Sequence, residues 1–202
     1  MHHGRTLLTL LAVTTAMTSC RLLRPMPDAP AADTTQSTEM VQTAVPRITG
    51  PMRDANVAAM LLAWNNTDIS YARLVPSRAQ RDDVKRFAER MLTDHTGINS
   101  LVTALLEKMD IGAEDNIASL NMRDESATKR DLMRDLEGFV FDSAYATNEL
   151  SYHRRFLSSL DHEMIPAAKS DDLRTLLNTI RPAVAAHMAH AEQLWADVLA
   201  RR

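Results

Sequence analysis

The apolar positions of the chain fall into stripes of helical period. Val84, Ala88, Met91, His95, Ile98, Val102 and Leu105 recur at alternating steps of three and four, which puts them on one side of a helix. Leu132, Leu136, Phe139, Ser143, Ala146, Leu150, His153, Leu157 and Leu160 do the same, as do Leu173, Leu177, Ile180, Val184, His187, Ala191, Leu194 and Val198. A less regular stripe, Val57, Met60, Trp64, Thr67, Tyr71 and Leu74, precedes them.

Punctuation then sets the ends. The first predicted helix covers 52–75 and stops before Pro76; the second covers 80–109, with Asp82 and Asp83 complementing the dipole of its first turn. The third covers 124–165, with Gly138 as a weak point and Pro166 after it, and the fourth covers 170–199, with Ser170 as N-cap. Residues 110–123 are polar and aperiodic and read as a connection. Long helices with one apolar face each predict an all-α antiparallel four-helix bundle. The connection of about 14 residues between the second and third helices has reach enough to cross the bundle or to loop back, so its topology stays open.

Three stripes carry a histidine near mid-helix: His95, His153 and His187. An imidazole in a helix core loses hydrogen bonds unless something replaces them, so three at one level imply a shared polar site. Folding the third predicted helix onto the fourth through the turn near residue 168 brings His187 opposite Glu149, with His153 one turn away, roughly 6 Å along the axis. Glu149 and His153 are four residues apart on one face, a spacing that chelates an ion or forms a Glu–His bond. Pro182, inside the fourth helix, cannot donate to the carbonyl of Asn178 and predicts a helix kink just before His187.

The amino terminus has a different character. Arg5, an apolar run from Leu7 to Met17 and then Met17-Thr18-Ser19-Cys20 have the layout of a lipoprotein signal peptide over residues 1–19, with Cys20 as the lipidation site. The run is too short to span a bilayer. Residues 20–50 hold Pro25, Pro27, Pro30 and Pro46 among Ala, Thr, Ser and Asp and read as a flexible tether, which leaves 51–202 as the folded domain. Arg21 rather than Asp after the cysteine favours the periplasmic face of the outer membrane as the location. The expected partner is thus the membrane, through a lipid anchor; a protein partner is not specified.

Charge and motifs exclude several classes. The chain carries a formal charge of −3, and loss of the leader with its single Arg5 makes that −4, which argues against a nucleic-acid partner. Cys20 is the only cysteine, so no disulfide forms within one chain. No phosphate-binding glycine loop and no Ser-His-acid arrangement can be placed, so no catalytic residue is assigned. Carboxylate-bridged di-iron sites use Glu-x-x-His pairs; here Leu92, Leu150 and Val184 stand three residues before the histidines, and that chemistry fails.

From about Asp54 to Leu199 the chain resembles a bacterial family of exported ferritin-like proteins known as domain-of-unknown-function family 4142. The resemblance is carried by Val84-Lys85-Arg86-Phe87-Ala88, Met91 and Asp94-His95; by Gly138, Phe141-Asp142, Tyr145 and His153; and by Arg181-Pro182, His187 and Ala191. Asp68 stands where members carry an acidic residue on the first helix. The resemblance implies a ferritin-like bundle in the cell envelope and no established reaction.

Two readings of the polar layer follow. In one, His95, Glu149, His153 and His187 hold a transition metal, with imidazole and carboxylate donors suited to zinc, copper or iron. In the other, Asp68, Asp142, Glu149 and Tyr145 satisfy the imidazoles, and the layer fixes helix register in a structural or protein-interaction module of the envelope. Asp94 is expected at the rim, and His162 and His190 at the surface.

Overall fold

The computed structural model of the protein describes residues 51–200; the leader, Cys20 and the tether lie outside the described residues. Five long helices make up the described domain: α1 (Asp54–Ala72), α2 (Asp82–Met109), α3 (Ile117–Arg134), α4 (Gly138–Ser159) and α5 (Asp171–Ala200). Single helical turns at Val75–Arg78 and Ile165–Ala167 occupy two of the joints.

The stripes assigned to α2 and α5 are observed almost residue for residue. Every apolar position expected inward on α5 is buried, and so is every one on α2 except the half-buried Leu105. The irregular stripe on α1 has a physical cause. Fifteen of its nineteen residues are buried, because α1 packs on α2, α3 and the aromatic face of α4 together. A helix covered on most sides has little reason to be amphipathic.

The region between α2 and α4 departs from expectation. The polar stretch taken as a connection contains the start of α3, set by Asn116, whose side chain accepts from the Ser119 amide at 2.8 Å while the Ser119 hydroxyl accepts from the Asn116 amide at 3.0 Å. The helix expected over 124–165 is two helices. The chain leaves helical geometry after Arg134, and Gly138, with φ of 59°, opens α4 in a conformation that side chains disfavour. The break resets the helical phase, so Leu132 is 69% exposed instead of facing the core.

α4 passes at Leu160–Met164 into one π-helical turn before Pro166, whose missing N–H leaves the α pattern without a donor there. Pro182 lies on the exposed side of α5, which runs unbroken through it, so the freed carbonyl of the exposed Asn178 faces solvent.

Two clasps at the helix ends fix the helix directions. Asp142, at the start of α4, accepts from the amides of Gln80 and Arg81, at the start of α2, at 3.2 and 3.0 Å. Asp54, at the start of α1, accepts from the amides of Lys169 and Ser170 just before α5, at 2.7 and 2.9 Å. Asn56 donates to the Glu114 carbonyl beyond the end of α2 at 2.9 Å. Hence α2 and α4 run one way while α1 and α5 run the other, and the link from α2 to α4, including α3, crosses the length of the domain.

Candidate metal centre

The residues that build the site come from four helices: Asn65 and Asp68 from α1, Asp94 and His95 from α2, Glu149 and His153 from α4, and His187 from α5. Asp68, His95, Glu149 and His153 are completely buried and His187 is nearly so. The three imidazole rings form an almost equilateral triangle, with centroids 5.2 Å (His95–His187), 5.5 Å (His153–His187) and 5.7 Å (His95–His153) apart.

Each ring has one nitrogen held and one left over. The Nδ1 of His153 is 3.0 Å from the backbone carbonyl of Glu149. A carbonyl only accepts, so Nδ1 carries a proton there, and Nε2 is the nitrogen left over. Nε2 faces the Oδ2 of Asp68 at 3.3 Å, without hydrogen-bond geometry. His95 binds the amide oxygen of Asn65 through Nδ1 at 2.8 Å, and its Nε2 lies 2.7 Å from the same Oδ2, again misaligned for a hydrogen bond. His187 donates from Nε2 to the Oδ2 of Asp94 at 2.9 Å, which leaves its Nδ1 without a partner.

Electrostatics sort the groups. Burial pushes His187 down to about 4, against the pull of Asp94, so the ring is neutral near pH 7. Burial alone would raise the Asp68 carboxyl, but His95 and His153 outweigh it and hold the carboxyl well below the usual range. Glu149 goes the other way: burial, then the charge of Asp68, push it well above an ordinary carboxyl, and neither of its oxygens has a hydrogen-bond partner. The Tyr145 hydroxyl, one turn before Glu149 on α4, is also buried without a partner. Buried polar atoms are ordinarily paired, and these have no partner among the described protein groups.

Two overlapping donor sets result, His95–His153–His187 and Asp68–Glu149–His153, the donor atoms of each lying within 4.8 Å of one another. The buried histidine triad could hold a metal ion.

Of the residues singled out in the sequence, His95, Glu149, His153, His187 and Asp68 converge. Asp142 does not join them. It lies two turns before Glu149, about 10 Å along the helix, and both its oxygens are taken by the clasp on α2. Asp94 is at the rim as expected, with a side chain 34% exposed, yet it also orients His187. Asn65 was not visible as a site residue, because an Asn on a helix without a clear stripe carries no phase signal. His162 and His190 are exposed.

The family described as "Domain of unknown function (DUF4142)" matches residues 35–194, most of the chain. The chain belongs to that family. No curated protein and no solved structure matches it. The DUF4142 match takes in the whole donor set, from Asp68 to His187.

Proposed function

We propose that this DUF4142 protein is a cell-envelope lipoprotein, anchored through Cys20 and a flexible tether, whose ferritin-like bundle binds a transition metal ion. The donors are His95, His153 and His187, with Asp68 as the fourth ligand and Glu149 beside them. The crossing link between α2 and α4 supports the ferritin-like reading, since such bundles use one long crossover. The outer-membrane location rests on the leader and on Arg21 alone. Among the described residues, no helix is long and apolar enough to cross a membrane.

The size of the histidine triangle carries the metal reading. An imidazole nitrogen sits about 2.0–2.1 Å from a bound zinc ion, and the ring centre lies roughly 1.1 Å farther out along the same line. Three rings around one ion at tetrahedral or trigonal angles then have centroids about 5.2–5.5 Å apart. Two of the observed separations, 5.2 and 5.5 Å, fall in that range, and the third, 5.7 Å, lies just above it. The approach of His95 Nε2 and His153 Nε2 to one carboxylate oxygen, Oδ2 of Asp68, at 2.7 and 3.3 Å adds an anionic donor beside the triangle.

The deciding measurement is elemental analysis of the chain isolated without a histidine tag or chelator. Near-stoichiometric zinc, copper or iron supports the reading. Absence of metal, even after reconstitution with Zn²⁺ and Cu²⁺, refutes it.

One observation favours a second reading, in which the layer serves fold specificity in an interaction module. Asn65 and Asp94 hold His95 and His187 in place with no ion required. Replacing His153 and His187 by hydrophobic residues of similar volume tests it: loss of cellular function with the fold intact excludes a purely architectural role.

A further inference from the structure

Nothing reaches the donor set from bulk water without passing a side chain, since every donor is buried. Asp94 stands on both sides of that wall. Its Oδ2 takes the proton of His187 at 2.9 Å, while its side chain is 34% exposed. On its outer side lies a groove of about 770 Å³ between α2 and α5, into which Asp83, Glu89 and Asp94 face from one helix and His190, Gln193 and Asp197 from the other. The other carboxylate oxygen of Asp94, Oδ1, makes no hydrogen bond among the described residues.

We infer that this groove is the route by which a hydrated divalent cation enters, and that Asp94 passes it to His187. The inference rests on the metal reading above. A hydrated cation prefers oxygen ligands, and the groove offers four carboxylates ahead of the nitrogen-rich centre. Asp83 is committed to Arg81, at 2.5 and 3.0 Å, and contributes least. Glu89 and Asp197 form no ion pair among the described residues and line the groove. Arg86 and Arg90 also line it, and Arg90 sits 3.3 Å from the Oδ2 of Asp94 with a side chain 60% exposed. Arg90 therefore competes with an incoming cation for the same carboxylate and can swing into solvent to release it. The cation then leaves the free Oδ1 of Asp94 for Nδ1 of His187, while Nε2 keeps its proton and its bond to Oδ2, and the ion continues to Asp68, His95 and His153.

The two kinds of charge predict opposite signs, which a merely structural role does not. The full-length chain, stripped with a chelator, is mixed with Zn²⁺ alone, quenched with chelator at intervals and assayed for retained zinc. Glu89→Gln combined with Asp197→Asn is expected to slow uptake about tenfold at low ionic strength, with the difference shrinking in salt. Arg90→Gln is expected to quicken it. A control of equal charge loss away from the groove, Glu107→Gln with Asp124→Asn, is expected to match the unaltered chain. Zinc retention at unchanged rates in the groove variants, or equal slowing in the control, overturns the route while leaving the metal reading in place. Retention of no zinc by any chain, including the unaltered one, overturns the metal reading and the route with it.

Discussion

His187 donates from Nε2 to the Oδ2 of Asp94 across 2.9 Å, and this bond decides which nitrogen of the ring remains for a ligand. With Nε2 protonated, Nδ1 is the free donor and the ring cannot turn without losing a charge-assisted bond. Outer partners of this kind typically hold 10–100-fold of metal affinity. Asp94→Ala should weaken Zn²⁺ binding by about that range, and Asp94→Asn, whose amide oxygen still accepts, by less. Isothermal titration of the two variants against the unaltered chain checks the order.

Ligation should also appear as stability. An ion present at a hundred times its dissociation constant stabilises the folded state by about 2.7 kcal/mol. Zn²⁺ should therefore raise the melting temperature of the chain by several degrees, and His153→Ala should abolish that rise. Thermal melts with and without zinc, at fixed protein concentration, give the answer. An equal rise in the variant would place the stabilising ion somewhere else.

The joint between α3 and α4 makes a backbone prediction. Gly138 has a φ of 59°, and a Cβ there would lie 3.3 Å from the side-chain oxygen of Gln80. Gly138→Ala should destabilise the domain by about 1–2 kcal/mol through the left-handed conformation, since the glutamine tip can yield. Chemical denaturation measures it. No change in midpoint would mean that the joint relaxes into ordinary helix.

Exposure separates two leucines that look alike in the sequence. Leu177 is fully buried, whereas Leu132 is 69% exposed. Leu177→Ala should cost about 2–5 kcal/mol, and Leu132→Ala should stay within about 0.5 kcal/mol. Comparable losses at both positions would restore the continuous helix over 124–165.

A surface pair supplies a pH signature away from the site. Hydrogen bonds from Arg155 at 2.5 and 2.8 Å, reinforced by Lys129, bring Glu125 down to about 2 against a mild opposing burial. A lowered folded value means that the stabilisation is fully present above the ordinary carboxylate value of 4.5 and is lost as pH falls towards about 2. Because the pair is substantially exposed, the effect should be no more than about 1 kcal/mol and should shrink in salt. Glu125→Gln should lower stability at pH 7 by up to about that much, have little effect near pH 2, and so flatten the stability–pH curve between the two.

Much of this arrangement was legible before the fold. His95, His153 and His187 stood out because a histidine in an apolar stripe violates the pattern that places it, and that violation survives in a single sequence. Asp68 entered only through a family resemblance, since α1 is buried on most sides and has no polar face to contrast with. Two errors share one origin. Treating 124–165 as a single helix carried the phase of Leu132 across a break, and the Asn116–Ser119 capping pair passed unnoticed inside a polar stretch. Asp142 was misplaced for a different reason. Burial and proximity to Phe139 and Ala146 are equally true of a clasp on backbone amides, and only three-dimensional contacts distinguish the two.

The seam on which the donors meet also bears on the order of assembly. α1 packs with α2 and α3, which follow it directly, whereas the closest packing of α4 is with α5, made after it. Ribosomal synthesis delivers these pieces from the N-terminus onward. An unfinished chain can already bring Asp68 beside His95, but it lacks His187 until α5 has been made. The proposed ion site is therefore incomplete in any nascent form that stops short of α5, and capture of metal there would report that all four contributing helices have been made.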